Sequence, residues 1–445
     1  MKSADKEFSF HELTRILAND LHVSPGTSLV IAYSGGLDSH VLLHALSRQH
    51  SWPLEAVHVH HGLLTEADTW TEHCQSVCEA MAVPLRIEHI TVDRQSRSGL
   101  EAAAREARYA RWRETLEANT CLLTAHHQDD QAETLLLQLL RGGGVAGLAS
   151  MAASCPFASG YLLRPLLDFT RQQLYRYALS EGLSWIEDPS NQDRRYRRNI
   201  IRHEVLPRLE QSWPGTSVVL ARSSRHFAEA LRVLEEMARE DLQKCLGSDG
   251  ALSIAGLLAL SADRQRNALR FWWRLRGHSV LSSRRLNRLL QELVGSNSPH
   301  AIWRWGNSEM RRYRDSLQIM TPLQSTDKLR EWSWMPAQDP AIDVQFYHLS
   351  LRKTRGQGLA LRWMESSWRV RLRRGGETCQ LAGKQHHQKL KKLLQEAGVP
   401  PWQRERLPLV YIDDQLAAIG SMWVCEPFAA QECDEAVSVE VSALP

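Results

Sequence analysis

Apolar positions in the first half of the chain follow two periods. Ser28-Leu29-Val30-Ile31-Ala32-Tyr33 is an apolar run of strand length that Gly35-Gly36 stops, Glu55 to His60 alternates, and Leu85 to Val92 and Cys121 to Ala125 give two more strand-like runs. Between them, 66–82 and 100–118 carry apolar residues at three and four spacing among good helix formers. Strands alternating with helices predict a doubly wound α/β fold, a parallel sheet with helices on both faces.

The pattern changes after Ser212-Trp213-Pro214-Gly215. Helical periodicity without strand runs continues to about 320, and residues 263–292 hold eight arginines against Asp263 and Glu292. Taken alone, such a run reads as a solvated helical face. Beyond the Asp/Pro-rich stretch Met335 to Pro340, short alternating runs return with a helix-like Lys384 to Ala397. The expected organisation is an α/β domain at 1–210, a helical basic domain at 211–330 and a small α+β domain at 345–445. Three domains suit 445 residues at about 150 each.

Composition removes other classes. A hydrophobic fraction of 43%, a charged fraction of 24% and a mean hydropathy of −0.37 exclude a disordered or fibrous chain. No apolar run reaches membrane-spanning length and none near the N-terminus resembles a leader, so a cytoplasmic location without membrane contact is expected. Eight scattered cysteines without a Cys-x-x-Cys pair suit free thiols. The formal net charge is only +3, yet Leu407 to Pro445 has seven acids and no Lys or Arg, so the average hides basic stretches elsewhere. It does not argue against a nucleic-acid substrate.

Candidate chemistry begins at Ser34-Gly35-Gly36-Leu37-Asp38-Ser39, where the first strand ends and a helix, Ser39 to Leu46, is expected. Two glycines let successive N–H groups converge, the helix N-terminus adds positive potential, and Ser34 and Ser39 can donate to phosphate oxygens. A carboxylate at Asp38 makes sense in such an anion cradle if Mg²⁺ bridges it to phosphate. No Walker A ending follows. Gly142 to Gly147 matches G-x-G-x-x-G formally, but it follows a helix instead of a strand, which rules against dinucleotide binding. The loop resembles the SGGxDS motif of the N-type ATP pyrophosphatase (PP-loop) family, which implies ATP use.

His126-His127-Gln128-Asp129-Asp130-Gln131-Ala132-Glu133 follows the fourth strand at the same sheet edge. If the helix has begun, His126, Asp130 and Glu133 share a face. A metal-hydrolase reading lacks any supporting signature, and N-capping explains only one of the acids. Extended to Thr134, Arg141-Gly142-Gly143-Gly144 and Gly147-Leu148, the segment resembles the tRNA(Ile)-lysidine synthetase branch of the PP-loop family. Val59-His60-His61-Gly62-Leu63, Glu101-Ala102-Ala103-Ala104-Arg105 with Arg108-Tyr109, Arg164-Pro165-Leu166-Leu167, Asp188-Pro189-Ser190-Asn191 and Arg198-Asn199 with Arg202 add to the likeness, as do Leu390 to Leu393 and Pro400 to Pro408.

That resemblance implies adenylation by ATP of the C2 oxygen of the wobble cytidine in a CAU-anticodon isoleucine tRNA, then displacement of AMP by the ε-amine of free L-lysine. ATP-binding is expected at Ser34, Gly35, Gly36, Leu37, Asp38 and Ser39, with Asp38 holding Mg²⁺. Asp130 and Glu133 would recognise the lysine ammonium, Asp130 or His126 would take its proton, and Arg105, Arg108, Arg198 and Arg202 would stabilise phosphate charge. Arg194, Arg195 and Arg197 beside Tyr196, and Arg371, Arg374, Lys391 and Lys392, are expected on RNA. No obligate protein partner is evident, and a homodimer is compatible with the sequence. The weighed alternatives are a PP-loop tRNA thiolation enzyme, which generally needs paired cysteines, a small-molecule amidotransferase, and a non-catalytic RNA-binding module.

Overall fold

The computed structural model describes residues 7–62, 67–93, 95, 99–247, 249–278, 281–295, 300–323 and 325–444, and at 101 the backbone alone. Leu63, the Glu101 side chain, the first residue of the helix expected at 66–82 and Met1 to Ala4 lie outside the described residues. The chain forms two compact units, Met1–Glu240 and Asp241–Pro445.

In the first unit, β1 (Ser28–Ala32), β2 (Leu54–His60), β3 (Leu85–His89), β4 (Thr120–Leu123), β5 (Ser154–Phe157) and β6 (Gly160–Leu163) form one sheet in the order β3-β2-β1-β4-β6-β5. All neighbours are parallel except the β5–β6 hairpin. The connecting helices are α1 (Phe10–Arg15), α2 (Leu37–Ser47), α3 (Ala67–Ala80), α4 (Leu100–Thr115), α5 (Gln128–Leu140), α6 (Val145–Leu148) and α7 (Arg171–Ser180). After them come α8 (Arg197–Ile200), α9 (Leu206–Ser212) and the long α10 (Thr216–Cys245).

The unbroken apolar strands follow from burial on both faces. Leu29 and Ile31 of β1, Cys121 and Leu123 of β4 and Leu163 of β6 pack with Val41, Leu42 and Leu46 of α2. The intervening Val30, Leu122 and Leu162 pack with Trp112 and Leu116 on the other side. All four expected strands are present, although the third stops at His89 short of Val92. The β5–β6 hairpin was not expected, because its strands have four residues each and turn at Ala158, a non-glycine residue at φ +50°.

Sheet order sets the site. β1 crosses over to β2 on one side while its other neighbour is β4, so the strand order reverses between β1 and β4. Ile31 lies in register with Leu123, so the loops leaving both strands emerge together at the carboxyl edge, where open α/β sheets bind ligands.

The second unit carries α11 (Ile254–Leu258), α12 (Ala262–Leu275) and α13 (Ser283–Gly295) beside an antiparallel sheet of β7 (Leu252–Ser253), β8 (Ile302–Trp305), β9 (Ser308–Tyr313) and β10 (Ser316–Met320). This corrects the expectation of helices alone through 330. Gly306-Asn307 between alternating Ile302-Trp303-Arg304-Trp305 and Ser308–Tyr313 is a two-residue hairpin signal, with Gly306 at φ +59°. The rest is β-rich. A five-stranded and a four-stranded sheet enclose Trp334, Leu349, Trp368, Val410 and Phe428, with α14 (Leu390–Glu396) and α15 (Pro401–Arg404) beside them. The helix expected from Lys384 starts only at Leu390, because Gln388–Lys389 pairs as a strand with Thr378–Cys379.

A side chain at position 160 tests the sheet. Gly160→Ala would place a Cβ 2.0 Å from the Thr120 carbonyl oxygen of β4, a backbone atom. The variant is expected to lose about 2 kcal/mol of stability, read as a lower urea midpoint. Gly295→Ala, which meets nothing within 4 Å, should stay within about 0.5 kcal/mol.

Candidate active site

The loop after β1 is held open by its own hydroxyls. Ser34 and Ser39 Oγ are 3.0 Å apart, Ser39 Oγ donates to Gly36 O at 3.0 Å and accepts from Ser34 N at 3.2 Å. Gly35 has φ +79°, and a Cβ there would come 2.7 Å from Ile186 Cδ1, so only glycine fits. The helix begins at Leu37, two residues before the expected start, which places Asp38 inside the first turn of α2. Asp38 Oδ1 is buried and accepts no hydrogen bond. An orphaned carboxylate oxygen at a helix N-terminus suits a cation shared with phosphate. Among the described residues, no group of three or more His, Cys, Asp and Glu is set to cage a metal.

His127 joins this loop to the acids after β4. Its Nε2 lies 3.6 Å from Asp38 Oδ2 and 3.4 Å from Asp130 Oδ2, and its Nδ1 lies 3.5 Å from Asp129 Oδ2. Burial alone would lower the imidazole's proton affinity, but Asp130, Asp129 and Asp38 together raise it well above the ordinary value. His127 is therefore an imidazolium, only 2% exposed, bridging three carboxylates. The two other roles of these acids are structural. Asp130 Oδ2 accepts from His127 N at 3.0 Å, and Asp129 Oδ2 accepts from Arg171 N at 2.8 Å at the start of α7.

The expected anion stabilisers and ammonium binders lie against each other. Arg198 donates to Glu133 Oε2 at 2.6 Å and Asp130 Oδ1 at 2.8 Å, while Arg202 donates to Glu133 Oε1 at 2.5 Å and Asp130 Oδ1 at 3.0 Å. Burial pushes the Asp130 carboxyl up, but His127, Arg198 and further cations hold it below the usual range as a carboxylate. The same acids, Glu133 first, raise Arg202 further despite burial.

His126 does not share the helix face with Asp130 and Glu133, which corrects the expectation. His127 is extended at φ −120°, ψ −176° and caps a helix that starts at Gln128. His126 stands outside it, with Nδ1 2.8 Å from Thr124 Oγ1. Burial first, and then Arg164, Arg105 and Arg198 against the opposing pull of Asp130, lower its pKa to about 3. It is a neutral imidazole in a ring of guanidinia. Of these, Arg105 is exposed on α4 and stacks 4.7 Å over Tyr109, and Arg164 is buried with Nη1 on Ala152 O at 2.6 Å. Arg108, also on α4, lies 5.5 Å from the Trp112 ring. Sequence reasoning missed His127, since two adjacent histidines do not reveal which one points to the sheet edge, and it missed the part Arg164 plays.

The expected RNA-facing residues divide. Arg194, Arg195 and Arg197 are exposed, although Arg195 is paired with Asp193 at 2.6 Å and Arg194 with Glu204 at 3.4 Å. Arg371 packs 4.5 Å over Tyr411 and pairs with Glu377 at 3.4 Å, and Arg374 donates to Lys328 O and Leu329 O at 2.6 and 2.8 Å. Both guanidinia thus have protein partners. Lys391 and Lys392 are exposed on α14.

Comparison with known proteins adds to this geometry. Residues 7–209 match the PP-loop domain family, 252–318 the TilS substrate binding domain and 368–441 the TilS substrate C-terminal domain. The tRNA(Ile)-lysidine synthase of Coxiella burnetii is 40% identical over 423 residues, spanning 94% of each chain. That of Serratia proteamaculans is 44% identical over 404 residues, spanning 89% of this chain and 92% of its own. Among solved structures, the U34-tRNA thiolase NcsA from Methanococcus maripaludis aligns over 49% of this chain and 78% of its own, with a TM-score of 0.42 and 18% identity.

Replacing the buried cation exposes its contribution. His127→Gln leaves Asp38, Asp129 and Asp130 without it and is expected to lose about 3 kcal/mol of stability near pH 6. The native proton affinity of His127 is raised, so its stabilisation is fully present below about pH 6.5 and fades as pH rises through the native value. Urea titrations of both proteins from pH 6 to 9 should therefore converge toward alkaline pH. A deficit that grows with pH would contradict an imidazolium.

Proposed function

The chain belongs to the tRNA(Ile)-lysidine synthase family, and on that premise we propose the residues and steps by which it works. It is an ATP-dependent, ligase-type enzyme that forms lysidine in tRNA(Ile), with a PP-loop α/β fold at its N-terminal end and a β-rich C-terminal part. It binds ATP. The finer substrates are free L-lysine and the wobble cytidine of a CAU anticodon. The observation that carries the reading is His127, within 3.6 Å of Asp38 and 3.4 Å of Asp130, which makes the phosphate loop and the acid pair one site.

ATP lies with its phosphates on the N-terminus of α2, against Ser34, Gly35, Gly36, Leu37, Asp38 and Ser39. The orphaned Asp38 Oδ1 supports Mg²⁺ at this point, where the ion would offset charge on the departing pyrophosphate. The cytidine C2 oxygen attacks the α-phosphorus and pyrophosphate leaves. Arg105, Arg108, Arg198 and Arg202 stabilise the negative charge gathered there. The lysine amine then forms the bond to C2 as the adenylate oxygen leaves with AMP.

Two acids and two arginines that already neutralise one another suit both steps. The guanidinia turn to phosphate as it arrives, and Asp130 and Glu133 turn to the ammonium. His126 is the better proton acceptor of the two expected, because Asp130 already accepts from Arg198, Arg202 and the His127 backbone. Burial depresses His126 most and the nearby guanidinia add to it, so a bound triphosphate would offset only the guanidinium share and raise its proton affinity in part.

Domains at 1–210, 211–330 and 345–445 divide the work, the first performing the chemistry and the others gripping tRNA. Arg194, Arg195, Arg197, Lys391 and Lys392 are its exposed contacts, with Arg371 and Arg374 shaping the surface beside them. No helix among the described residues is long and apolar enough to cross a membrane. The proposed setting is the cytoplasm, where a tRNA-modifying enzyme meets its substrate, with the chain acting alone or as a homodimer. Thiolation chemistry finds less support, since of eight free cysteines only Cys433 is exposed.

Labelled lysine supplied with ATP, Mg²⁺ and a tRNA(Ile)(CAU) transcript should enter the RNA. Asp38→Ala should lower this rate at least about 100-fold, a range reached when charge stabilisation at a transition state is removed, with the dissociation constant for tRNA within about twofold of wild type. Sulfur incorporation without lysine incorporation would instead indicate a thiolation enzyme.

A further inference from the structure

Arg164 carries a charge that the chemistry described so far does not use. It is only 7% exposed, and its Nε is buried without a hydrogen-bond partner. Among the described residues its side-chain acceptors are Ala152 O at 2.6 Å and Cys155 Sγ at 3.9 Å, neither of them a carboxylate. By contrast, Arg198 and Arg202 are each met by both Asp130 and Glu133. A guanidinium buried without a carboxylate is costly to keep, and an anion that arrives with the substrate relieves that cost.

The fold puts this charge at the reacting edge. Arg164 directly follows β6, whose Leu163 lies in register with Leu123 of β4, so the two strands deliver their loops side by side. Thr124 N donates to Leu163 O at 3.0 Å, two residues before His126. Arg164 N donates to Ala153 O at 2.8 Å, and Gln131 of α5 clamps the same segment, accepting from Met151 N and donating to Met151 O. Arg164 is thereby tied to the helix that carries Asp130 and Glu133. Burial lowers the proton affinity of His126 most, against the pull of Asp130, and Arg164 is the first of the guanidinia that add to it. The phosphate loop is farther off, because the strand order β1-β4-β6 sets β6 two spacings of about 4.8 Å from β1.

We infer that Arg164 receives the α-carboxylate of free lysine and so selects an amino acid over a simple amine. Asp130 and Glu133 suit the positive end of that substrate and would repel its carboxylate. ATP phosphates on the β1 loop would repel it too, so the carboxylate is best held on the far side of β4, where Arg164 stands. A guanidinium offers a carboxylate two parallel N–H donors, and the open Nε lies on one edge of that fork. With the carboxylate fixed there, the extended side chain of lysine can run back past His126 toward the adenylated base. The inference rests on lysine as the amine donor, as proposed above.

The test follows incorporation of L-lysine, or of cadaverine, which is lysine without its carboxylate, into a tRNA(Ile)(CAU) transcript by the full chain at saturating ATP. Wild type should use lysine at least about 100-fold better in kcat/KM, since a site built around a polar group rejects the analogue lacking it. Arg164→Gln should lower kcat/KM for lysine roughly 10- to 100-fold, mainly through KM, the range of a hydrogen bond to a charged group. Its kcat/KM for cadaverine should stay within about twofold of wild type, because no carboxylate contact is lost there. Arg164→Lys keeps the charge and should recover part of the preference. Equal losses for both amines in these variants would overturn the inference; a raised KM for ATP would then assign the cation to phosphate, and a lowered melting temperature to packing beside Ala152. Lysine and cadaverine used equally well by wild type would overturn it without any variant, while lysine incorporation itself stood. A wild-type chain that incorporates neither amine would overturn the proposed function, and the inference with it.

Discussion

A protonated histidine among three carboxylates is the interaction that joins the loop after β1 to the acids after β4. His127 touches Asp38 of the loop after β1, Asp130 of α5 and Asp129, which in turn holds the start of α7. His127 and Asp130 lie deepest, and neither charge would be tolerated alone there, since an unpaired buried ion costs several kcal/mol. Together they lock three elements that the backbone ladder does not connect. The Arg198 and Arg202 guanidinia close the network on its outer side.

Much of the sheet was legible in the sequence because β1 and β4 are buried on both faces, and that burial writes itself as continuous apolar runs, while β2 was legible as an alternating one. The phosphate loop was legible for a local reason, two glycines and two serines at a strand end. What stayed hidden depends on distance in space. Nothing local says that Arg198, 65 positions after Glu133, pairs with it, or that His127 and not His126 faces Asp38. Helical periodicity and a count of arginines also obscured the sheet at 302–320, although its hairpin turn was visible in Gly306-Asn307.

Basic residues in this chain have two destinations, which is why composition says so little about its partner. Arg198, Arg202, Arg264, Arg371 and Arg374 are taken up by internal acceptors. Arg197, Arg284, Arg285 and Lys391 are exposed. The second group presents its charge at the surface, and a net charge of +3 averages over both.

The strand order also constrains how the chain is made. β1 occupies the middle of its sheet, yet the neighbour on one side, β4, starts 88 positions after β1 ends. During synthesis the edge of β1 that will receive β4 therefore emerges early and waits, with apolar residues on both faces and unpaired N–H and C=O groups along its length. Such an edge is a template for pairing with the wrong chain. The arrangement that brings two distant loops together into one site also leaves the nascent protein exposed to aggregation until the fourth strand arrives.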